Sequence, residues 1–149
     1  MPYKKIALLI IDVQKSAVTK TELIKKIESL QKNYTDIFVS IFQNEKSPLL
    51  KILNWSGYED ENLAFTPLES AIIFKKNGYS SYLPRMKKFS EIHLCGFDTD
   101  ACIYKTAMDL IEHGIRPIVL KNLCFSKNKT FHEIGLKLLE RNIGKNNIR

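Results

Sequence analysis

The run Ile6-Ala7-Leu8-Leu9-Ile10-Ile11, unbroken by any polar side chain and closed by Asp12, is the tightest constraint on what this chain can fold into. A strand with one wet face alternates apolar and polar residues, whereas a strand covered on both faces reads as a continuous apolar stretch. Further strand-length segments follow at Ile37 to Phe42, Ala71 to Phe74, Glu91 to Cys95 and Arg116 to Leu120. Between them the period changes to that of a helix. Thr21 to Asn33 sets Leu23, Ile24, Ile27 and Leu30 on one face, behind a Thr19/Glu22 capping box. Asp100 to His113 reads as a second helix, stopped by Gly114, and Thr130 with Glu133 caps a last helix running to about Asn142. Strands alternating with helices predict a three-layer, Rossmann-like α/β fold, a mostly parallel sheet flanked by helices. The stretch from Gln43 to Ser70 is the least regular, with Leu49 to Leu53, Trp55 and the acidic Glu59 to Glu61 inside it; a loop of that length is often functional.

At 149 residues, with no internal repeat or linker-like tract, the chain reads as one domain over residues 1–149. The opening Met1-Pro2-Tyr3-Lys4-Lys5 followed by the apolar run resembles a leader, but Asp12 follows and no small-residue cleavage site does, so the run is read as a core strand. No apolar stretch approaches the roughly 18 residues of a membrane span. The net charge of +7 is carried by scattered lysines, which points to solvated faces rather than a nucleic-acid stripe. Three cysteines, Cys95, Cys102 and Cys124, without a C-x-x-C spacing, favour a reducing, cytoplasmic setting.

Ligands of open parallel sheets bind beyond the carboxyl ends of strands, and three chemically loaded segments fall there: Asp12-Val13-Gln14, Lys76 to Tyr82, and Gly96 to Cys102. Cys102 follows a strand and a glycine turn and opens a helix. Partial positive charge at a helix N-terminus favours thiolate, so this address suits a nucleophile; packing of a small apolar residue is the plainer use of the same position. Gln14 either hydrogen-bonds around the site or stiffens the turn. Phe42, Trp55, Tyr79 and Tyr82 are candidate pocket residues, while Cys95 and Cys124 read as core.

Taken together, Leu8-Leu9-Ile10-Ile11-Asp12-Val13-Gln14, Lys76-Asn77-Gly78-Tyr79-Ser80-Ser81-Tyr82 and Gly96-Phe97-Asp98-Thr99-Asp100-Ala101-Cys102 with Thr106-Ala107 resemble the isochorismatase-like cysteine hydrolases. That resemblance implies a catalytic triad of Asp12, Lys76 and Cys102, with Lys75 the competing neighbour of Lys76. It also implies a cis peptide between Phe97 and Asp98, and an oxyanion hole from the amides of Asp98 and Cys102. In such a triad a carboxylate takes the thiol proton, an ammonium holds the pair, and sulfur attacks a carbonyl carbon.

The chain departs from the nicotinamidase-like members of that family, which bind a metal through an Asp-x-His pair and further histidines after the second strand. Ser40-Ile41-Phe42-Gln43-Asn44-Glu45-Lys46 contains no histidine, and His93, His113 and His132 lie elsewhere; His93, inside a strand, reads as a satisfied core residue. The expectation is a hydrolase without metal or other cofactor, acting on an amide, carbamoyl or ureido C–N bond of a small metabolite. Relatives are commonly oligomeric, so a homo-oligomer is expected, with no membrane or nucleic-acid partner. The alternative from another class is a catalytically silent binding or scaffold protein on the same fold.

Overall fold

The computed structural model describes residues 4–149; Met1 to Tyr3, part of the leader-like opening, lie outside the described residues. Five strands, β1 (Ile6–Ile11), β2 (Asp36–Phe42), β3 (Ile72–Lys76), β4 (Glu91–Phe97) and β5 (Arg116–Phe125), form one sheet in the order β3-β2-β1-β4-β5. All four pairings are parallel, and four helices connect or cover the strands: α1 (Thr21–Leu30), α2 (Pro48–Ile52), α3 (Tyr104–Glu112) and α4 (Lys129–Ile143).

Why β1 is apolar throughout is visible in its packing. Ala7, Leu9 and Ile11 face a core completed by Ile103, Ala107 and Leu110 around α3 and by Leu139 and Ile143 of α4. Leu8 and Ile10 face the opposite core, with Ile27 of α1, Val39 and Phe65. Each of these β1 side chains is fully buried, and burial of a large aliphatic side chain contributes about 1.5–3 kcal/mol.

The order of strands places the site. The chain runs from β1 outward through β2 to β3, then returns to pair β4 on the other side of β1. Loops leaving β1 and β4 therefore diverge, and the crevice between their carboxyl ends is the switch point of the fold. At that crevice Gly96 adopts φ +119°, and a Cβ there would lie 2.2 Å from the Ile11 carbonyl oxygen. Only glycine lets β4 approach the end of β1 so closely.

Several boundaries differ from expectation. β3 extends to Lys76, so this lysine is a sheet residue paired with Phe42 rather than a loop residue. β5 continues through Lys121 and Asn122 to Phe125, because it is an edge strand whose polar residues reach solvent while an irregular register brings Cys124 and Phe125 back against Gly96 and Phe97. Neither threonine cap forms. Lys20 precedes α1 without a side-chain cap, and α4 starts early enough that Asn128, not Thr130, accepts the Phe131 N–H at 2.9 Å.

Candidate active site

Asp12 ends β1 in the left-handed region, φ 53°, a conformation that aspartate tolerates better than most non-glycine residues. This turn aims its carboxyl across the sheet. Asp12 is 0% exposed, and its Oδ2 meets Lys76 Nζ of β3 at 2.9 Å, close as an ion pair but without an aligned hydrogen bond. Lys76 Nζ also donates to the Tyr79 carbonyl, so the ammonium is anchored at two points. Lys75 points away, 2.8 Å from Glu61 in an exposed pair.

Cys102 comes from a five-residue π-helical turn, Thr99–Ile103, that leads directly into α3. The thiol is 6% exposed and lies against both Asp12 and Lys76. The turn is held in place from behind by α4: Gly135 packs so tightly that a Cβ would sit 2.9 Å from the Asp100 nitrogen. In front of the turn the Phe97–Asp98 peptide is cis.

Electrostatics correct one expectation. Burial pushes the Cys102 thiol up to about 12, the neighbouring Asp12 charge pushes the same way, and Lys76 only partly opposes them. A helix end alone favours thiolate, but here the sulfur is dry and faces a carboxylate before it faces the ammonium. Burial and the Asp12 charge together favour the thiol form of Cys102. Asp12 is likewise raised by burial, with the Lys76 charge, the neighbouring Cys102 thiol and the Ser40 hydroxyl opposing that rise. Asp12 thus disfavours the thiolate of Cys102, while Cys102 and Lys76 favour the carboxylate of Asp12.

A cavity of about 510 Å³ opens above Cys102, walled by Phe42, Trp55, Tyr58, Tyr79 and Phe97, with Leu49 and Leu53 at one side and Asp98 and Lys127 as its charged members. Phe42, Trp55 and Tyr58 pack on one another, with centroids 5.3–5.7 Å apart. Asp98 contributes a carboxyl raised to about 7 by burial and by Asp100.

Two pocket candidates lie elsewhere. Tyr82 stacks on His113 at the end of α3, with ring centroids 4.2 Å apart, because the chain at Ser81 is tied to Thr106 and turns away from the cavity. Gln14 is a brace: fully buried, it donates to the Phe42 and Asp60 carbonyls and accepts from the Phe42 N–H, which pins the long loop to the end of β2. His93 is hydrogen-bonded to Tyr34 and Glu91, and Cys95 and Cys124 are buried, as their strand positions suggest. Tyr58, Lys127 and the side chain of Asp98 were not singled out from the sequence. Tyr58 lies in a stretch with no periodicity, so nothing there marks which ring turns inward.

The ground after β2 does not suit a metal. No group of three or more His, Cys, Asp or Glu among the described residues is disposed to hold an ion. Asn44, within that segment, is bonded to both the N–H and the carbonyl of Tyr58. Phe42 and its aromatic neighbours occupy the surrounding space.

The isochorismatase domain profile matches residues 6–145. An isochorismatase-like hydrolase from Alkaliphilus metalliredigens superposes with a TM-score of 0.78 at 18% identity, covering 93% of this chain and 92% of that one. A pyrazinamidase of Pyrococcus horikoshii, solved in complex with zinc, superposes with a TM-score of 0.78 at 15% identity, covering 97% of each chain. The isochorismatase domain-containing protein 2 of Bos taurus is 35% identical over 48 residues, a stretch covering 32% of this chain and only 24% of that protein.

Proposed function

The chain belongs to the isochorismatase family, and from that premise we propose that it is a cysteine hydrolase cleaving an amide, carbamoyl or ureido C–N bond in a small metabolite. The observation that carries this reading is the convergence of the Cys102 thiol, Asp12 and Lys76 at the floor of an aromatic-walled cavity. Flat apolar walls suit a small planar acyl group. The same donor set, without a metal-binding cluster among the described residues, supports a reaction carried by the protein's own side chains.

In this mechanism the Cys102 proton moves to Asp12 as sulfur attacks the carbonyl carbon, and the amides of Asp98 and Cys102 stabilise the oxyanion. Lys76 holds the Asp12 carboxylate and offsets its charge beside the nascent thiolate. The C–N bond breaks as Asp12 returns the proton to the leaving nitrogen, leaving an acyl or carbamoyl group on sulfur. Water then gives a proton to Asp12 and attacks the same carbon; the C–S bond breaks, and the proton on Asp12 restores the thiol. The raised position of Cys102 fits this order, in which sulfur gives up its proton as it attacks rather than beforehand.

A second reading, a binding protein without turnover, draws on that same raised thiol. One experiment separates the two: incubate the protein with a panel of aryl and alkyl amides, carbamates and ureas, follow amine release, and search for a mass increase on the Cys102 peptide after acid quench. Release of amine with an acyl adduct on Cys102, both lost in Cys102→Ala, supports the hydrolase. Undiminished turnover in Cys102→Ala refutes the covalent mechanism, and amine release from no member of the panel favours the binding protein.

A further inference from the structure

Asp12 Oδ1 is satisfied from behind by a buried hydroxyl chain that the triad does not include. Ser40 Oγ of β2 donates to it at 3.0 Å, and Ser81 Oγ donates in turn to Ser40 Oγ at 2.8 Å. Ser81 is itself held by its backbone N–H, which donates to Thr106 Oγ1 of α3 at 2.9 Å. Ser40, Ser81 and Thr106 are all 0% exposed. Water does not compete for these hydroxyls, so the direction of the chain is fixed by its end: a carboxylate only accepts, so Ser40 must donate to it, and the Ser40 oxygen is then free to accept from Ser81.

We propose that Ser40 and Ser81 are positioning residues that hold Asp12 Oδ1 as a permanent acceptor and thereby reserve Oδ2 as the atom that exchanges the proton with Cys102. The two carboxylate oxygens have different surroundings. Oδ1 takes the hydroxyl, whereas Oδ2 has the Lys76 ammonium at 2.9 Å and no aligned donor of its own. A carboxylate free to rotate would exchange these environments and present an already bonded oxygen to the thiol. The chain also explains why serine stands at two places where an apolar core residue would pack as well: Ser40 lies in the otherwise apolar run Ile37 to Phe42, and Ser81 lies beside the lysine-bearing strand. Ser81 acts only through Ser40, and neither residue lines the cavity above Cys102.

This assignment rests on Asp12 as the proton carrier, but its test needs no substrate. The groups facing Asp12 are Lys76 from β3, Cys102 from the π turn, Ser40 from β2 and Tyr58 from the long loop. Carboxyl-labelled aspartate followed by carbon NMR gives the Asp12 titration midpoint directly, in the wild type, Ser40→Ala, Ser81→Ala and the double variant, assigned by its loss in Asp12→Asn. Losing a hydrogen bond to a charged group is expected to raise the midpoint by roughly one pH unit in Ser40→Ala and by a smaller amount in Ser81→Ala. In the double variant the midpoint matches that of Ser40→Ala, because Ser81 has nothing left to act through. An unmoved midpoint in Ser81→Ala, or an additive shift in the double variant, overturns the proposal. Should Ser40→Ala fail to fold by circular dichroism, Ser81→Ala alone decides. Loss of turnover leaves this readout untouched, so failure of the relay and failure of the hydrolase reading are separable.

Discussion

Replacing Lys76 by methionine keeps the length of the side chain and deletes its charge, which leaves the Asp12 carboxylate buried at 0% exposure without its 2.9 Å counterion. Removing one partner of a buried pair costs about 3–5 kcal/mol. Asp12 limits that loss by taking a proton, so the penalty at a given pH cannot exceed about 1.4 kcal/mol for each unit by which that pH lies above the unfolded carboxyl value of 3.8. A carboxyl whose folded midpoint is raised binds more protons folded than unfolded, so the variant loses stability as pH rises from its unfolded value of 3.8 to the folded midpoint, and no further above it. Asp12 is raised in the wild type by burial, and deleting Lys76 removes the largest opposing influence, so the variant is the more pH-dependent of the two. At this chain length about 1 kcal/mol shifts the melting temperature by about 3 °C. Thermal melts at about pH 4.5 and about pH 8 should therefore show Lys76→Met close to wild type in acid and roughly 9–15 °C lower in base. In an Asp12→Asn background the same substitution should cost little. An equal loss at both pH values, or an undiminished loss in the Asp12→Asn background, would show that Lys76 stabilises by packing and that the ion pair is not what holds it.

The remaining predictions concern the thiol, the crevice and the brace. Iodoacetamide should modify folded Cys102 at about pH 8 more slowly than the same cysteine in the denatured chain, because burial and Asp12 hold the thiol up near 12; a faster reaction would contradict that ordering. Gly96→Ala places a Cβ 2.2 Å from the Ile11 carbonyl oxygen at a φ of +119°, so urea melts should show a loss above about 3 kcal/mol, and a loss under about 1 kcal/mol would mean the crevice is looser than described. Gln14→Leu strips the buried Phe42 N–H and carbonyl of their shared partner, for an expected loss of about 2–4 kcal/mol, with faster hydrogen exchange concentrated around Asp60 to Ala64; uniform exchange across the chain would argue against a local brace.

How much of this was legible in the sequence differs by element. The continuous apolar run of β1 could pack in few ways other than between two layers, so the parallel sheet followed from it directly. The placement of Asp12, Lys76 and Cys102 at strand ends was also readable, since apolar periodicity locates the ends of strands and chemistry marks the residues there. Helix caps were less so: Thr19 and Thr130 have the right chemistry, but the actual starts were set by where α1 and α4 dock, and a short shift in start makes a cap residue redundant.

Sequence by itself determined the fold class, the ends of β1 and β2 and the chemistry of the residues beyond them, because these depend on local periodicity and on side-chain chemistry. Tertiary structure alone decided that β1 and β4 are neighbours, that Lys76 meets Asp12 rather than Glu61, that Tyr58 enters the cavity and Tyr82 leaves it, and that Ser40 and Ser81 stand behind the carboxylate. It also set burial and the Asp12 charge against the thiolate that a helix end favours. A helix end acts over one turn and is visible locally, whereas burial and the charge of a residue far away in the chain exist only after folding has brought them together.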